Sequence, residues 1–183
     1  MYIILYFVDN EIKSCYNFLK KGDFFMFREM RRKAQQLNES ECIEILENGS
    51  SGVLAVSGDD GYPYAVPLSY VFSDGKIYFH CAKNGHKLDG IRKDSKVSFC
   101  VIGQDNVIQS EFRTMYRSVI VFGHARIIED EREILNSIMA LSKKYCFDIA
   151  EEEHLAEIER FKKALCMVEI NIEHITGKKS KDD

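Results

Sequence analysis

Three consecutive apolar segments, separated by two tight-turn signals, restrict the fold of this chain more than any other feature. Gly52–Ser57 is a short apolar run bounded by turn residues, which is typical of a buried strand. Asp59-Asp-Gly61 and Ser73-Asp-Gly75 are both hairpin turn signals. The segments after these turns, residues 63–72 and Lys76–Ala82, have the β-branched and aromatic content of strands. The sequence therefore predicts successive strands joined by short turns.

The second half of the chain continues this pattern and adds helices. Asn38, with Glu41 three residues later, predicts a capping box at the start of a helix that Gly49 ends. Apolar residues at helical spacing predict amphipathic helices over residues 130–145 and 150–163. Further strands are predicted at residues 96–102, 116–128 and 165–172. We expect a mainly β fold with peripheral helices, a six-stranded antiparallel barrel, since closing a sheet removes its exposed edges.

Composition excludes several classes of function. The chain has 183 residues, which suits one domain with a real core, and its net charge of −4 argues against a general nucleic-acid binder. Its six cysteines include no C-x-x-C pair, so neither a zinc site nor a redox dithiol is predicted. Free thiols in apolar contexts suit a reducing cytoplasm. The apolar residues 1–8 are far short of the roughly 20 residues that span a bilayer. We therefore expect a cytoplasmic protein that binds neither nucleic acid nor membrane.

The first 25 residues form an N-terminal extension to the predicted domain. Lys21-Gly-Asp23 can be encoded by a purine run resembling a bacterial ribosome-binding site, at a suitable distance before Met26. Our hypothesis is that translation starts at Met26, the alternative being a short amphipathic helix packed on the domain. A native N-terminus at Met1, measured by mass spectrometry, would contradict the hypothesis. The domain itself is expected over residues 26–177, with a polar tail at 178–183.

A strand that runs into a turn and then a helix, at residues 78–92, predicts an anion site. A helix start has unpaired N–H groups and the positive end of a dipole, so a cation in its first turn is disfavoured. Lys87 stands there nevertheless, with His80, His86 and Arg92 around the junction. An anion bound at this helix start would explain why a lysine stands there, and a phosphate group fits best. The alternative is that Lys87 is a solvated helix lysine.

Two further features near this junction bear on ligand binding. His80 alternates with Phe79, so one of the two points into the core, and His80 is either a ligand contact or a buried core histidine. Pro63 and Pro67 restrict their strand to a sheet edge or to an interrupted ladder, where a ligand can reach backbone groups. The sequence contains no supported Ser/His/Asp or Cys/His/Asn triad, so hydrolase chemistry is not predicted.

Six short motifs occur in this chain in the order in which they occur in one known family. The motifs are Gly52-Val-Leu-Ala-Val56, Tyr62-Pro-Tyr-Ala-Val-Pro-Leu-Ser-Tyr70, Ile77-Tyr-Phe-His-Cys-Ala82, Gly85-His-Lys-Leu-Asp-Gly-Ile91, Val97-Ser-Phe-Cys-Val101 and Tyr116-Arg-Ser-Val-Ile-Val-Phe-Gly-His-Ala-Arg126. Together they resemble the pyridoxamine 5′-phosphate oxidase-related flavoproteins, and within these the nitroimidazole-resistance (Nim) branch. The resemblance covers roughly residues 26 to 177.

The resemblance implies a split β-barrel homodimer that binds FMN at the subunit interface and acts on a small-molecule substrate. His86 and Lys87 match the family's basic pair at the phosphate, and His80 and Cys81 lie on the neighbouring strand. Ser118 would face the flavin from the long fifth strand, of the same or of the other subunit. The residues that would lie along the flavin ring and ribityl chain are Ala65, Val66, Pro67, Leu68 and Ser69.

The chain departs from true pyridoxamine-phosphate oxidases in two places. Its basic pair is His-Lys instead of Arg-Lys, and residues 175–179 replace the arginine-bearing terminus that holds the substrate phosphate. Oxidation of vitamin B6 is therefore disfavoured. The first functional hypothesis is an FMN-dependent oxidoreductase that reduces nitroaromatic compounds, with His80 as candidate catalytic residue. The second is a non-catalytic module that holds flavin or haem. No metal site is expected.

Overall fold

The computed structural model describes residues 27–181, so residues 1–26, with the proposed leader and Met26, lie outside the described residues. Residues 27–181 contain four α-helices: α1 (Glu39–Asn48), α2 (His86–Lys93), α3 (Glu131–Tyr145) and α4 (Glu151–Phe161). The same part of the chain contains seven strands: β1 (Gly52–Ser57), β2 (Pro63–Leu68), β3 (Val71–Ser73), β4 (Lys76–Ala82), β5 (Lys96–Ile108), β6 (Arg113–Ile127) and β7 (Leu165–Lys179).

All seven strands belong to one antiparallel sheet, in the order β2-β1-β5-β6-β7-β4-β3. The two outermost strands, β2 and β3, are separated in the chain only by Ser69 and Tyr70. Because three residue steps span at most about 11 Å, the sheet must curl until its two edges approach each other. Among the described residues no ladder joins β2 to β3, so the barrel stays open along one side. The expected mainly β, split-barrel architecture is confirmed.

The strand count is seven, where six were predicted, because the segment 63–72 forms two strands. Tyr70 interrupts it: its side chain is fully buried and donates a hydrogen bond to the Leu46 carbonyl at 2.7 Å. The backbone N–H of Tyr70 donates to the Tyr145 hydroxyl at 3.0 Å. Side-chain contacts thus replace a ladder partner at this residue, and β2 and β3 pair with opposite ends of the sheet.

The core fills the inner face of the curled sheet. Every second residue of the central strands is buried there, and each such large apolar side chain contributes about 1.5–3 kcal/mol. Helix α1 covers part of this core, and Asn38 and Glu41 form the predicted capping box, with N–H···O distances of 2.8 and 2.9 Å. Seven apolar side chains of these strands are completely buried: Leu54, Ile77, Phe79, Phe99, Val101, Val119 and Val121.

Helices α3 and α4 form a second layer on the outer face of the sheet. Ile138 and Leu141 of α3 pack there against Val71, Ile128 and Met167 in a smaller apolar cluster. Both helices were predicted to within a few residues. Strands β5, β6 and β7 are longer than predicted, since their outer parts pair as a ribbon beyond the other strands. No helix among residues 27–181 is long and apolar enough to cross a membrane.

Candidate functional site

Strand β2 lies at one edge of the sheet, where the two prolines predicted it. It pairs with β1 on one side, and Pro63 and Pro67 lie opposite Ser57 and Val53. Its side chains alternate, so that Tyr64, Val66 and Leu68 are half-buried against the core. The other side chains, including those of Ala65 and Pro67, are exposed, as is Ser69 directly after the strand. The predicted ring-binding segment therefore presents an accessible apolar edge.

The start of helix α2 offers N–H groups to an anion. Gly85 precedes the helix with a φ of 133°, a conformation that favours glycine, and no side chain caps this end. The Gly85 carbonyl accepts the N–H groups of Leu88 and Asp89 at 2.9 and 3.2 Å. The N–H groups of the first two helical residues have no intrahelical acceptor, because of their position in the first turn. These are the backbone donors that the sequence predicted for a phosphate.

His86 holds this helix start beside β2. Its ring stacks on the ring of Tyr64, with centroids 4.1 Å apart and planes 29° apart. Its Nε2 lies 3.6 Å from a carboxylate oxygen of Asp59, in the turn between β1 and β2. His86 therefore positions the helix against the edge strand. The role of Tyr64 in this contact was missed in the sequence.

Lys87, the second residue of α2, lies close enough to strand β4 for its positive charge to act on both His80 and Cys81 at the end of that strand. Phe79 points into the core and is fully buried, whereas His80 points to the opposite, outer face and is exposed. The interpretation of His80 as a buried core histidine is therefore wrong. Helix α2 thus brings Lys87, His80 and the edge strand into one neighbourhood.

The electrostatics of His80 favour a neutral imidazole. The ring lines a cavity, and the surrounding atoms limit its hydration although part of its surface is exposed. This desolvation, and then the charge of Lys87, lowers the pKa of His80 below its ordinary value. A neutral imidazole donates one hydrogen bond and accepts another, so His80 can act toward a ligand without adding charge.

Cys81 faces the inner side of the sheet. It pairs in register with Cys166 of β7 and packs on the core. Burial, reinforced by Cys166, raises the pKa of the Cys81 thiol to about 11. The thiol is therefore protonated near neutral pH, and its side chain points away from the face that carries His80.

Ser118 is not brought to the other predicted residues within one chain. It lies on β6, opposite Ile102 of β5 and Lys178 of β7. Strands β1 and β5 separate β2 from β6, which amounts to three strand spacings, or about 14 Å along the sheet. Among residues 27–181 no group of histidine, cysteine or carboxylate side chains is arranged to hold a metal ion.

The curled sheet, with its open side and its edge strand beside a cationic helix start, defines a split-barrel protein. Residues 38–179, well over half of the chain, match the family model described as pyridoxamine 5′-phosphate oxidase. The chain therefore belongs to the pyridoxamine 5′-phosphate oxidase family. No curated protein matches the chain.

Several solved structures share this fold. A candidate 5-nitroimidazole antibiotic resistance protein from Bacteroides thetaiotaomicron superposes with a TM-score of 0.66 at 16% identity, over 78% of this chain and 85% of the other. An FAD and haem binding protein from Mycobacterium smegmatis gives 0.61 at 19% identity, over 80% and 74%. An FAD-binding protein from Mesorhizobium loti gives 0.55 at 25% identity, over 80% and 97%. At these identities the likeness establishes the fold.

Proposed function

We propose that this protein binds FMN and is an oxidoreductase that reduces nitroaromatic compounds. The observation that carries the proposal is the convergence at α2: His86 stacks on the edge strand β2 through Tyr64, while the charge of Lys87 acts on His80. One end of this neighbourhood is cationic and has spare N–H donors. The other end is an exposed apolar strand edge. A molecule with a phosphate at one end and a flat apolar ring at the other suits both.

The residues present fit the phosphate of FMN. A phosphate dianion prefers point charges and oriented N–H donors, and Lys87 with the first turn of α2 supplies both. His86 is held by Tyr64 and Asp59, so we assign it a positioning role at this end. Its side chain keeps the helix start in place for the phosphate.

The residues along β2 fit the ring and the ribityl chain. Ala65, Pro67 and Ser69 form the exposed face, and an isoalloxazine ring prefers apolar walls with a few polar groups. Val66 and Leu68 support the strand from the core side. When bound, the flavin supplies hydride or electron transfer, and the chain has to place a small-molecule substrate beside it. His80 is the candidate that would contact such a substrate.

A homodimer would complete this site. The ribbon formed by the outer parts of β5 and β6 has large exposed apolar side chains, namely Ile102, Val107 and Phe112, with exposed fractions of 62%, 66% and 98%. Exposed apolar patches of this kind are typical of protein interfaces. Ser118 lies opposite Ile102, so an interface on this ribbon would place Ser118 where two subunits meet. This supports the assignment of Ser118 to the site of the partner subunit.

A non-catalytic flavin- or haem-binding module is the second candidate. It is favoured by the structural similarity to the Mycobacterium smegmatis protein, which binds FAD and haem. An absorbance spectrum of the purified protein separates the cases, because oxidised flavin and the Soret band of haem differ, and the mass of the released cofactor distinguishes FMN from FAD. Turnover of NADH or NADPH with a nitroaromatic acceptor separates an enzyme from a carrier.

The decisive experiment compares two lysines of α2. Lys87→Ala should weaken FMN binding about tenfold to a hundredfold, the range expected for losing a charge-assisted hydrogen bond. Lys93→Ala, at the exposed far end of the same helix, should leave the affinity unchanged. Riboflavin, which lacks the phosphate, should bind Lys87→Ala and the wild type equally well. Equal FMN affinity in all three proteins would overturn the proposed phosphate site.

A further inference from the structure

Two cysteines that are far apart in the chain face each other across the sheet. Cys81 of β4 and Cys166 of β7 are register partners, and both side chains pack on the core at the inner face. Opposed residues of antiparallel strands have Cα atoms about 4.5–5.5 Å apart, which lies within the range of about 4.4–6.8 Å that a disulfide spans. Among residues 27–181 no other two cysteines are register partners. These two thiols can therefore be joined without a change of fold.

The pair stands next to the end of its ladder, where the strands can adjust. Only Ala82 and Leu165 pair beyond it. Opposed Cβ atoms lie about 4.5–5.5 Å apart, whereas those of a disulfide average about 3.8 Å, so a bond would draw the two strand ends together by about 1 Å. A disulfide formed under such strain is more easily reduced than a relaxed one. The position therefore suits a bond that forms and breaks reversibly.

A cavity of about 980 Å³ gives access to Cys166. The residue is 9% exposed and forms part of the cavity wall. Charged side chains of both signs line the same wall, among them Lys83, Lys163, Glu129 and Glu131. Within residues 27–181 these four side chains form no ion pair. A zwitterionic peptide, with ammonium and carboxylate groups, can pair with both signs of charge in this space.

The two thiols differ in how a charged reagent can reach them. Cys81 borders a separate cavity of about 450 Å³ with a mainly apolar wall, where a charged peptide would lose its hydration. Burial also raises the pKa of Cys81 to about 11, so its reactive thiolate form is rare near neutral pH. A peptide in the larger cavity therefore meets Cys166 first, and Cys81 stands directly opposite to react second.

We propose that Cys166 and Cys81 form a dithiol site that reduces small peptide disulfides of the glutathione type. The sulfur of Cys166 attacks one sulfur of the peptide disulfide, whose S–S bond breaks, and the first peptide thiol leaves with the proton of Cys166. The sulfur of Cys81 then attacks that of Cys166, and the second peptide thiol leaves with the proton of Cys81. Two electrons pass from the dithiol to the peptide disulfide, and the protein retains a Cys81–Cys166 disulfide.

This activity goes beyond the proposed flavin chemistry, because neither step uses a cofactor. The test therefore uses oxidised glutathione and protein without added FMN, so its result does not depend on the flavin proposal. A Cys15→Ser/Cys146→Ser background removes the cysteine outside the described residues and the exposed one. At pH 8 each protein molecule should release two equivalents of reduced glutathione and lose two hydrogens in its intact mass. Release of glutathione without this loss, or no release at all, would overturn the proposal.

Two single variants in this background separate the roles of the thiols. Cys81→Ser should stop at the mixed disulfide, with one glutathione on Cys166. Cys166→Ser should react at least about tenfold more slowly, since the remaining thiol is buried and protonated. Equal rates for the two variants would contradict the assigned order. Cys100→Ser is the matched control: its partners on the neighbouring strands are Val53 and Ile120, and it should form the disulfide as the background protein does.

A measurement on the unaltered protein makes the outcome independent of whether a variant folds. Wild type incubated with oxidised glutathione and digested without reduction should yield a peptide that links Cys81 to Cys166. Circular dichroism before and after the reaction should be the same, because the two residues are already neighbours in the fold. Cross-links that join Cys42 or Cys100 in place of this pair would overturn the assignment.

Discussion

The hydroxyl of Tyr145, at the end of helix α3, accepts a hydrogen bond from the backbone N–H of Tyr70 at 3.0 Å. The same hydroxyl lies within hydrogen-bonding distance of the carbonyls of Tyr70 and Ser50. It therefore bonds to backbone groups at the point where β2 passes into β3, between the two edges of the sheet. A single side chain thus satisfies backbone groups that a closed barrel would pair in its ladder.

Tyr145→Phe should lower the free energy of unfolding by about 1–2 kcal/mol, because it leaves these backbone groups without a partner. For a chain of this size the loss corresponds to roughly 2–4 °C in Tm per kcal/mol. Thermal unfolding followed by circular dichroism measures it. Tyr62→Phe, at a residue that is 76% exposed, should change Tm by no more than about 1–2 °C, the effect of a surface substitution. Equal Tm values for the two variants would contradict this role of Tyr145.

Lys87→Ala should raise the pKa of His80. Burial and the charge of Lys87 both lower this pKa, so removing the lysine leaves the burial contribution and brings the pKa only part of the way back to its ordinary value. The imidazole proton shifts, followed by NMR over pH 4 to 8, report the change. His174, whose pKa is lowered by burial alone, should titrate identically in both proteins. If the pKa values of His80 and His174 change by the same amount, the effect is a general rearrangement.

The lowered pKa of His80 also sets a direction for stability. The unfolded chain takes up the proton more readily than the folded one, so this residue destabilises the fold as the pH falls below the ordinary pKa of histidine, near 6.5. Above that pH both states are neutral and the contribution vanishes. The Tm of His80→Gln minus the Tm of the wild type should therefore be larger at pH 5 than at pH 8.

Glu169→Gln should destabilise the fold by about 1–3 kcal/mol, since it removes the charge from a buried acceptor whose two cationic partners, Lys76 and Arg126, are partly exposed and can be solvated in its absence. Glu169 is 4% exposed and accepts hydrogen bonds from Arg126 at 2.8 and 2.9 Å and from Lys76 at 3.0 Å. Burial alone would raise its pKa, but these bonds outweigh it and lower the pKa. Glu44→Gln, on the exposed side of α1, is the matched control.

The same carboxylate gives a pH dependence of opposite sign to that of His80. Because its folded pKa lies below its unfolded value, Glu169 stabilises the fold above about pH 4.5, the ordinary glutamate value. That stabilisation is lost as the pH falls through the folded pKa. The wild type should therefore lose stability more steeply than Glu169→Gln between pH 5 and pH 3, as measured by Tm.

Thiol reactivity should follow burial. Cys146 is exposed, whereas burial raises the pKa of Cys42 and of Cys81 to about 11. In a Cys15→Ser background, which removes the cysteine outside the described residues, Ellman's reagent at pH 8 should give one fast equivalent. Cys146→Ser should abolish that fast phase, and Cys100→Ser should leave it intact. Two fast equivalents in the folded protein would contradict the assignment.

Local signals predicted most of the elements. The capping pair Asn38 and Glu41, the glycine turns and the apolar spacing of α3 act within a few residues of the chain, so a single sequence shows them. The break at Tyr70 was missed because its cause is distant: Tyr145 and Leu46 are 75 and 24 positions away. For the same reason the sequence did not show the stacking of His86 on Tyr64.

The alternation at Phe79 and His80 illustrates a second limit. Period-two spacing shows that one of the two side chains points inward, but it does not say which. The choice depends on the helices that cover the outer face, and these lie more than 50 residues further along the chain. Ser118 is a third case, since its predicted role depends on a partner subunit.

The short link between β2 and β3 has a consequence for the order in which the protein can be completed during synthesis. These two strands and β1 and β4 are contiguous in the chain, so they can associate as soon as they are made. Strand β4 nevertheless needs β7 as its neighbour: Ile77 pairs with Ile170, about half the length of the chain away. Such distant pairings form slowly. A nascent chain that has emerged only as far as α4 therefore exposes the long edges of both β4 and β6, and β7, the next strand to leave the ribosome, protects them both from intermolecular pairing.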